Sequence, residues 1–361
     1  MEISGGTIRA VETAGHQETW LAPGLVDMQL NGFAGVDFSD PRLEPEQAAS
    51  ILPALWRTGV TTFCPTLVTN SMDALARNFR VMETARRAFP AFAHAAPCYH
   101  LEGPWVSPGP ARGVHDPQWM GPPDWDAFCR LQEAAGNRIG ILTLAPEWPG
   151  AFEFIARAAR AGVVVALGHT DGTQDDIHRA AEAGAVMSTH LGNGCPGMIE
   201  RHAAPLWAQM VDDRLQASII CDGFHLPPDV VCAFLRAKGI ERLILVTDAV
   251  HVATLAPGRY RMAGSDIELL PTGKVVKIGD TCLAGSAASM NGVLAGFLRM
   301  TGVSMADAIR AGASNPARLI NRPEACSAVE PGQPANLVTF RIEEGACQVR
   351  TLISDGEEVY A

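Results

Sequence analysis

The sequence predicts an α/β chain: a closed parallel (β/α)8 barrel of the TIM type, with a small β domain formed by the two chain ends. Three observations predict it. From Pro23 onward, short aliphatic runs alternate with helical patterns; ligand-type polar residues close several of those runs; and both chain ends read as strands with no helical period. The expected division is 1–22 plus 325–361 for the β domain and 23–324 for the barrel, with a β-rich insertion near 256–283.

Taken in order, Thr7–Glu12 and Thr19–Leu21 are short strand-like pieces. Eight runs then supply the barrel strands: Gly24–Leu30, Gly59–Thr66, Ala96–Glu102, Arg138–Ala145, Gly162–His169, Ala185–His190, Gln216–Asp222 and Arg242–Asp248. Apolar runs of this length bounded by Gly and Pro suit strands buried on both faces. Helical patterns separate them at Glu46–Thr58, Met72–Phe89, Asp124–Ala135, Ala151–Ala161, Gln174–Ala183 and Pro228–Lys238. Gly264, Gly273 and Gly279 punctuate the insertion as turns. Helices resume at Ser286–Thr301, Ser304–Ala311 and Asn315–Ile320, and the tail from Pro331 returns to strand character.

Composition narrows the function classes. With 47% hydrophobic and 19% charged residues, a large core forms and a disordered chain is excluded. A net charge of −11 with no block of Lys or Arg argues against nucleic acid or an anionic membrane as partner. The nine cysteines form no Cys-x-x-Cys pair, and the opening Met-Glu-Ile-Ser-Gly-Gly lacks a leader pattern, so free thiols in a reducing cytoplasm are expected.

Four predicted strands end on chemistry-bearing side chains: Glu102, His169, His190 and Asp248. A barrel gathers its active site at the carboxyl ends of its strands. Two His and a carboxylate suit a catalytic divalent cation with an open coordination position, leaving Asp248 as a proton shuttle. A lone His169 reads as structural, but His190 ends the next strand, and the pair points to a metal. Glu102 could instead be a buried carboxylate paired to an Arg. His100 belongs one layer deeper, Gly168 permits close backbone approach, and Thr173 suits a helix cap. His115, His225 and Arg201 fall on loops of the catalytic face, each balanced between a substrate contact and an ordinary surface residue. His251 reads as a loop residue, His178 as solvated, and His16, His94 and His202 have weaker cases.

These segments resemble the amidohydrolase superfamily and, within it, the N-acetylglucosamine-6-phosphate deacetylase family. The matching stretches run through most of the chain, in order: Ala22-Pro-Gly-Leu-Val-Asp-Met-Gln-Leu-Asn-Gly32, Thr61-Thr-Phe-Cys-Pro-Thr66, His100-Leu-Glu-Gly-Pro104, Leu144-Ala-Pro-Glu147, Gly168-His-Thr170, Thr189-His190 with Asn193, Asp222-Gly-Phe-His225, Val246-Thr-Asp-Ala249, Leu283-Ala-Gly-Ser286 and Asn315-Pro-Ala-Arg318. The resemblance implies Glu102, His169 and His190 as metal ligands and Asp248 as catalytic acid/base. It implies His115 as a group that contacts the acetamide and polarises its carbonyl. Asn193, Gly194 and His225 become sugar- and phosphate-contacting positions, and Arg201 the phosphate-binding Arg. Gln29-Leu30-Asn31 stands where many relatives carry His-x-His for a second metal, which implies one divalent ion, Zn or alternatively Fe. A homodimer is also implied. Two departures stand out: Asn193 is followed by Gly-Cys-Pro-Gly-Met rather than Ala-Met, and the segment before Pro23 is short for the family, implying a reduced β domain.

The expected reaction is therefore metal-dependent hydrolysis of the acetamide of an N-acetylated amino sugar, N-acetylglucosamine 6-phosphate foremost, to the amine and acetate. One alternative is an amidohydrolase acting on a different or unphosphorylated N-acyl substrate. The other is a barrel that has lost catalysis and serves as a binding or scaffold protein.

Overall fold

Eight short apolar segments supply the barrel wall: Leu25–Leu30, Val60–Val68, Tyr99–Glu102, Ile139–Leu144, Val164–Leu167, Met187–Ser188, Gln216–Ile219 and Leu243–Leu245. The computed structural model describes residues 1–12, 18–262, 264–279, 282–326 and 328–361, and His16 lies outside them. Each strand pairs in parallel with the next in sequence, and the eighth returns to the first. Closure is carried by a parallel bridge between Leu30 and Ala249, with the Asp248 N–H donating to the Gln29 carbonyl at 3.0 Å and the Asn31 N–H to the Ala249 carbonyl at 2.8 Å.

The fourth to eighth strands end earlier than the sequence suggests, whereas the first and third end as expected and the second runs on to Val68. The sixth ladder stops at Ser188, because His190 sits at φ +33° and turns the chain out of the sheet. The interior is packed rather than open. Val26, Met28, Cys64, Cys98, Ile141, Ala166, Met187 and Ile244 fill it, and Ala317, Ile320 and Ala325 plug its amino-terminal end. A second, larger core lies between the strands and the surrounding helices.

The helices follow their local signals. Ser71 caps Met72–Ala88 by accepting from the Ala74 N–H, and Thr173 forms a capping box with Asp176 at the start of Gln174–Ala183. The segment expected as one helix from Glu46 to Thr58 is two, Pro45–Ser50 and Leu52–Trp56. Pro53 supplies no backbone N–H, so it opens a new first turn rather than continuing the ladder. Two short helices, Pro90–Ala95 and Pro205–Val211, were not anticipated; both start on proline and are too brief to show a period. The helix expected from Ser286 begins at Met290, because Ser286 bridges to Ala249 and its hydroxyl donates to the Thr247 carbonyl at 2.6 Å.

The insertion forms three antiparallel strands, Gly258–Met262, Ser265–Leu269 and Val275–Lys277, packed on Val250 and Val252 beside the barrel mouth. The chain ends pair as expected: Trp20–Pro23 joins Leu337–Glu343, Ala346–Ser354 and Glu357–Tyr360 in one sheet. The hairpin Glu2–Ser4 with Thr7–Ala10 attaches through Ile8, which is buried with Ala335 and Leu337.

One helix contact is unusually close. A Cβ on Gly296, within Met290–Thr301, would lie 1.9 Å from the Cys221 carbonyl oxygen. Alanine normally favours a helix by roughly 1 kcal/mol over glycine. Here Gly296→Ala should instead destabilise by about 1–3 kcal/mol through overpacking, read as a lower midpoint in chemical denaturation. An unchanged or higher midpoint would show that the helix can move away from the strand end.

Candidate active site

Glu102, the last residue of the third strand, meets His169 and His190, each two residues past the end of the fifth and sixth strands. Glu102 Oε1 lies 3.0 Å from His190 Nε2 and 3.2 Å from His169 Nε2, and the two Nε2 atoms are 3.1 Å apart. All three residues are buried. Donors bound about 2.0–2.1 Å from a tetrahedral metal sit about 3.3 Å from one another, so this triangle has the size a divalent cation requires. Among the described residues no Arg pairs with Glu102; the two His and Gln29 do.

Tautomer and charge agree with that fit. The His169 Nδ1–H donates to the Ala111 carbonyl at 3.0 Å, which turns a lone pair on Nε2 toward Glu102. Burial pushes the Glu102 carboxyl up, but the two histidines beside it hold it well below its ordinary range. Burial opposes a proton on His190, yet the bond to Glu102 and its charge raise that pKa above the usual value. The cluster thus demands positive charge at its centre.

Backbone geometry puts the side chains there. His169, His190 and Asp248 all have positive φ, at +49°, +33° and +50°. Left-handed backbone is costly for non-glycine residues, and such strain collects at functional sites. Glycine lets neighbouring chain come close: a Cβ on Gly168 would lie 2.8 Å from Thr189 Cβ, and one on Gly194 2.9 Å from His169 Nδ1 and 3.0 Å from His190 Cε1. Gly194 lies directly against the His pair.

Asp248 is linked to the cluster by a residue read in the sequence only as a missing histidine. The Gln29 amide donates to Glu102 Oε1 at 2.9 Å and to Asp248 Oδ1 at 3.2 Å, while the Asn31 amide donates to the same Asp248 oxygen at 2.6 Å. Burial and the charge of Glu102 raise the Asp248 carboxyl to about 6. Gln29 and Asn31, at i and i+2, face the same way, but the sequence shows neither as a partner of Asp248.

A cavity of about 460 Å³ opens over these groups, a size suited to a small ligand. His115 lines it, its Nδ1 2.7 Å from the Thr69 hydroxyl and its ring 4.4 Å from that of His169. Burial, then the nearby His169 charge, drops its pKa to about 3, so the ring is neutral. Asn193, Gly194 and His225 also line the cavity. The Asn193 Nδ2 is buried with no partner among the described residues. His225 Nδ1 is 2.7 Å from Asp222 Oδ2, which fixes its ring. The structure does not bring Arg201 to the cavity: its side chain is exposed, and its carbonyl accepts from the Trp207 indole N–H. No Lys or Arg is among the described residues lining the cavity; Val114, Ile199, Val250, Met262 and Leu283 form apolar walls.

The remaining histidines lie elsewhere. His100 is buried one layer below, 2.8 Å from the Thr143 hydroxyl. His251 follows the eighth strand in a turn, as expected, but is largely buried beside Tyr260. His178, expected to be solvated, is only half exposed and pairs with Asp212 at 3.0 Å. His202 is exposed and His94 lies on the opposite barrel face, near Asn336.

A parallel barrel whose strand ends gather two His, a Glu and a separate Asp defines a class, the metal-dependent barrel hydrolases. The particular membership follows from comparison: the model of the Amidohydrolase family matches residues 20–359, and the chain belongs to that family. It is 29% identical to an N-acetylgalactosamine-6-phosphate deacetylase of Escherichia coli O157:H7, covering 94% of this chain and 90% of that protein. It is 29% identical to an N-acetylglucosamine-6-phosphate deacetylase of Bacillus subtilis, covering 98% and 91%. A crystal structure of N-acetyl-D-glucosamine-6-phosphate deacetylase from Mycobacterium smegmatis superposes with a TM-score of 0.89 at 30% identity, over 99% of this chain and 94% of that one. The chain is therefore an enzyme of the carbon–nitrogen hydrolase kind, and the catalytically silent alternative falls away.

The close seating of Gly194 gives a test. Gly194→Ala adds a Cβ against both His rings at a φ of +58°, which should displace the loop, lower bound divalent metal per chain and cut turnover at least tenfold. Metal analysis by mass spectrometry with an acetate-release assay reads both; wild-type values in both would mean the loop is not seated on the His pair.

Proposed function

We propose that this enzyme hydrolyses the acetamide of an N-acetylated amino-sugar 6-phosphate, N-acetylglucosamine 6-phosphate foremost, releasing acetate and the free amine. The observation that carries the reading is the triangle of Glu102, His169 and His190, with Asp248 tied to it through Gln29. Those three would hold one divalent cation. Zinc suits two imidazoles and a carboxylate, and iron accepts the same set. Bound there, the cation supplies Lewis acidity, polarising a carbonyl oxygen and acidifying a water molecule.

The residues of the chain do the rest. Asp248, held by the Gln29 and Asn31 amides, accepts the proton of the attacking water and returns it to the departing nitrogen. With the Thr69 hydroxyl donating to His115 Nδ1, the neutral ring carries its hydrogen on Nε2 and donates it to the acetyl oxygen as negative charge develops. Asn193, Gly194 and His225 bind the sugar, and the apolar walls exclude water around it. A lone cation is supported by Gln29 and Asn31: their amides face the two carboxylates as donors, and a second cation there would meet N–H groups.

The absence of Lys and Arg among the described lining residues favours a second reading, an unphosphorylated or differently configured N-acetyl sugar. The galactosamine-type relative points the same way on configuration. The absence of a disulfide among the described residues supports a cytoplasmic setting, and no described helix is long and apolar enough to cross a membrane. The exposed Met198, Ile199, Trp207 and Val211 beside the sixth loop support a homodimer.

Asp248→Asn should retain metal but lower kcat by roughly 10²–10⁴-fold. Asp248 acts as a base only when ionised, so wild-type kcat should fall as pH drops through its pKa. That acid limb should lie at or below about 6, since a bound cation pulls the value down from where burial sets it. Near-wild-type turnover in the Asn variant would remove Asp248 from the chemistry. For the substrate, kcat/KM should be highest on N-acetylglucosamine 6-phosphate among the gluco and galacto sugars, each with and without the 6-phosphate. Arg201→Ala should reduce only the phosphorylated pair, and equal rates with and without phosphate would favour the second reading.

A further inference from the structure

At the end of the barrel opposite the catalytic cavity, two cysteines face one another. Cys64 Sγ, on the second strand, lies 3.5 Å from Cys98 Sγ, at the entry to the third. The register of the two strands pairs Thr66 with His100, and two residues back along each strand places Cys64 opposite Cys98. Neighbouring strands lie about 4.8 Å apart, inside the Cα separation of about 4.4–6.8 Å that a disulfide spans. An S–S bond of about 2.05 Å needs the sulfurs to close by about 1.5 Å, which a change in side-chain torsions supplies. Gly140 leaves space for that movement: a Cβ there would lie 2.9 Å from Cys98 Cβ.

Cys98 also has a route to solvent. It lines a separate cavity of about 620 Å³, whose charged lining is Arg86, Arg138, Arg322 and Glu324, with His94 beside them. Cys64 is fully buried behind it. The bond to Cys64 holds the Cys98 thiol below its ordinary range against the effect of burial, and the charges of Arg322 and Arg86 add to this. The catalytic mechanism uses neither sulfur.

We infer that Cys64 and Cys98 form an oxidisable dithiol, closing to an intramolecular disulfide when a hydroperoxide enters through the basic cavity. The Cys98 thiolate attacks one oxygen of hydrogen peroxide; the O–O bond breaks, hydroxide leaves and takes a proton to become water, and Cys98 becomes a sulfenic acid. Cys64 sulfur then attacks the Cys98 sulfur, the S–O bond breaks, and hydroxide departs with the Cys64 proton as a second water. Two thiols lose two electrons and two hydrogens, and the peroxide is reduced to two waters. The closed bond would tie together strands whose far ends carry Val68, on the catalytic cavity wall, and Glu102.

The test uses the full-length, metal-loaded enzyme. It is treated with hydrogen peroxide, quenched with an alkylating reagent, digested without reduction and mapped by mass spectrometry. The expected result is a Cys64 peptide joined to a Cys98 peptide with two hydrogens lost, two fewer alkylated cysteines than in the untreated chain, and full reversal by dithiothreitol. In Cys64→Ser, Cys98 should stop at a sulfenic acid that a dimedone probe traps. Recovery of both cysteines as free thiols, at a peroxide dose that oxidises the exposed Cys129, would overturn the inference. So would oxidation of Cys98 to the sulfinic acid in the wild type without the cross-link. The wild-type map needs no variant to fold, so it decides the question by itself.

Discussion

A buried carboxylate oxygen and two imidazole nitrogens cannot sit about 3 Å apart without a proton or a cation between them. Glu102 Oε1, His169 Nε2 and His190 Nε2 are in that position, and burial removes the water that would otherwise screen them. The positive charge must come from protons or from a cation. The raised pKa of His190 shows the demand, and the Ala111 carbonyl, by holding the Nδ1 hydrogen of His169, directs the His169 lone pair to the same point. Much of the rest of the site serves that constraint: the Gln29 amide shields both carboxylates, and the missing side chain of Gly194 admits backbone onto the imidazoles.

The barrel meets the constraint through geometry at strand ends rather than through unusual residues. A strand held in its ladder points successive side chains to opposite faces, and a side chain at its last position needs a further turn to reach the axis. Positive φ at His169, His190 and Asp248 supplies that turn. Each costs backbone energy on the order of 1–3 kcal/mol, and the core beneath, from Val26 to Ile244, is packed tightly enough to hold it. Closure of the sheet contributes directly, since the bond from the Asp248 N–H to Gln29 is both a barrel seam and the link that sets acid beside ligand.

Much of this was legible in the sequence because burial writes itself into aliphatic runs. The eight strands, the pairing of chain ends and the convergence of Glu102, His169 and His190 follow from runs that end on ligand-type residues. What was not legible depended on partners distant in sequence. Nothing local marks Gln29 as a bridge between residues 73 and 219 positions away. Thr69, which fixes His115, lies 46 positions from it. Helix boundaries slipped where a tertiary contact outweighed propensity, as at Ser286, or where proline reset the ladder, as at Pro53. Arg201 shows the opposite failure: its spacing resembles a phosphate-binding position, but spacing carries no information on which way a loop faces.

The composition of the cavity explains why a cationic side chain stands outside it. Glu102, Asp248 and Asp37 all contribute carboxylates to its lining, and burial raises Asp37 to about 6. A guanidinium within reach of Glu102 would pair with it bidentately and compete directly with a metal for the same oxygens. Asp248 would be held ionised by the same charge, and a carboxylate so stabilised is a poorer base. Apolar residues around the site avoid both effects while keeping the dielectric low, so the pull of a cation on a carbonyl is not dissipated. Any recognition of a phosphate therefore belongs at the rim, beyond Gly194 and Gly197, where a basic group can meet the far end of a ligand without reaching the carboxylates. Arg201, exposed on that loop and outside the cavity lining, meets neither carboxylate.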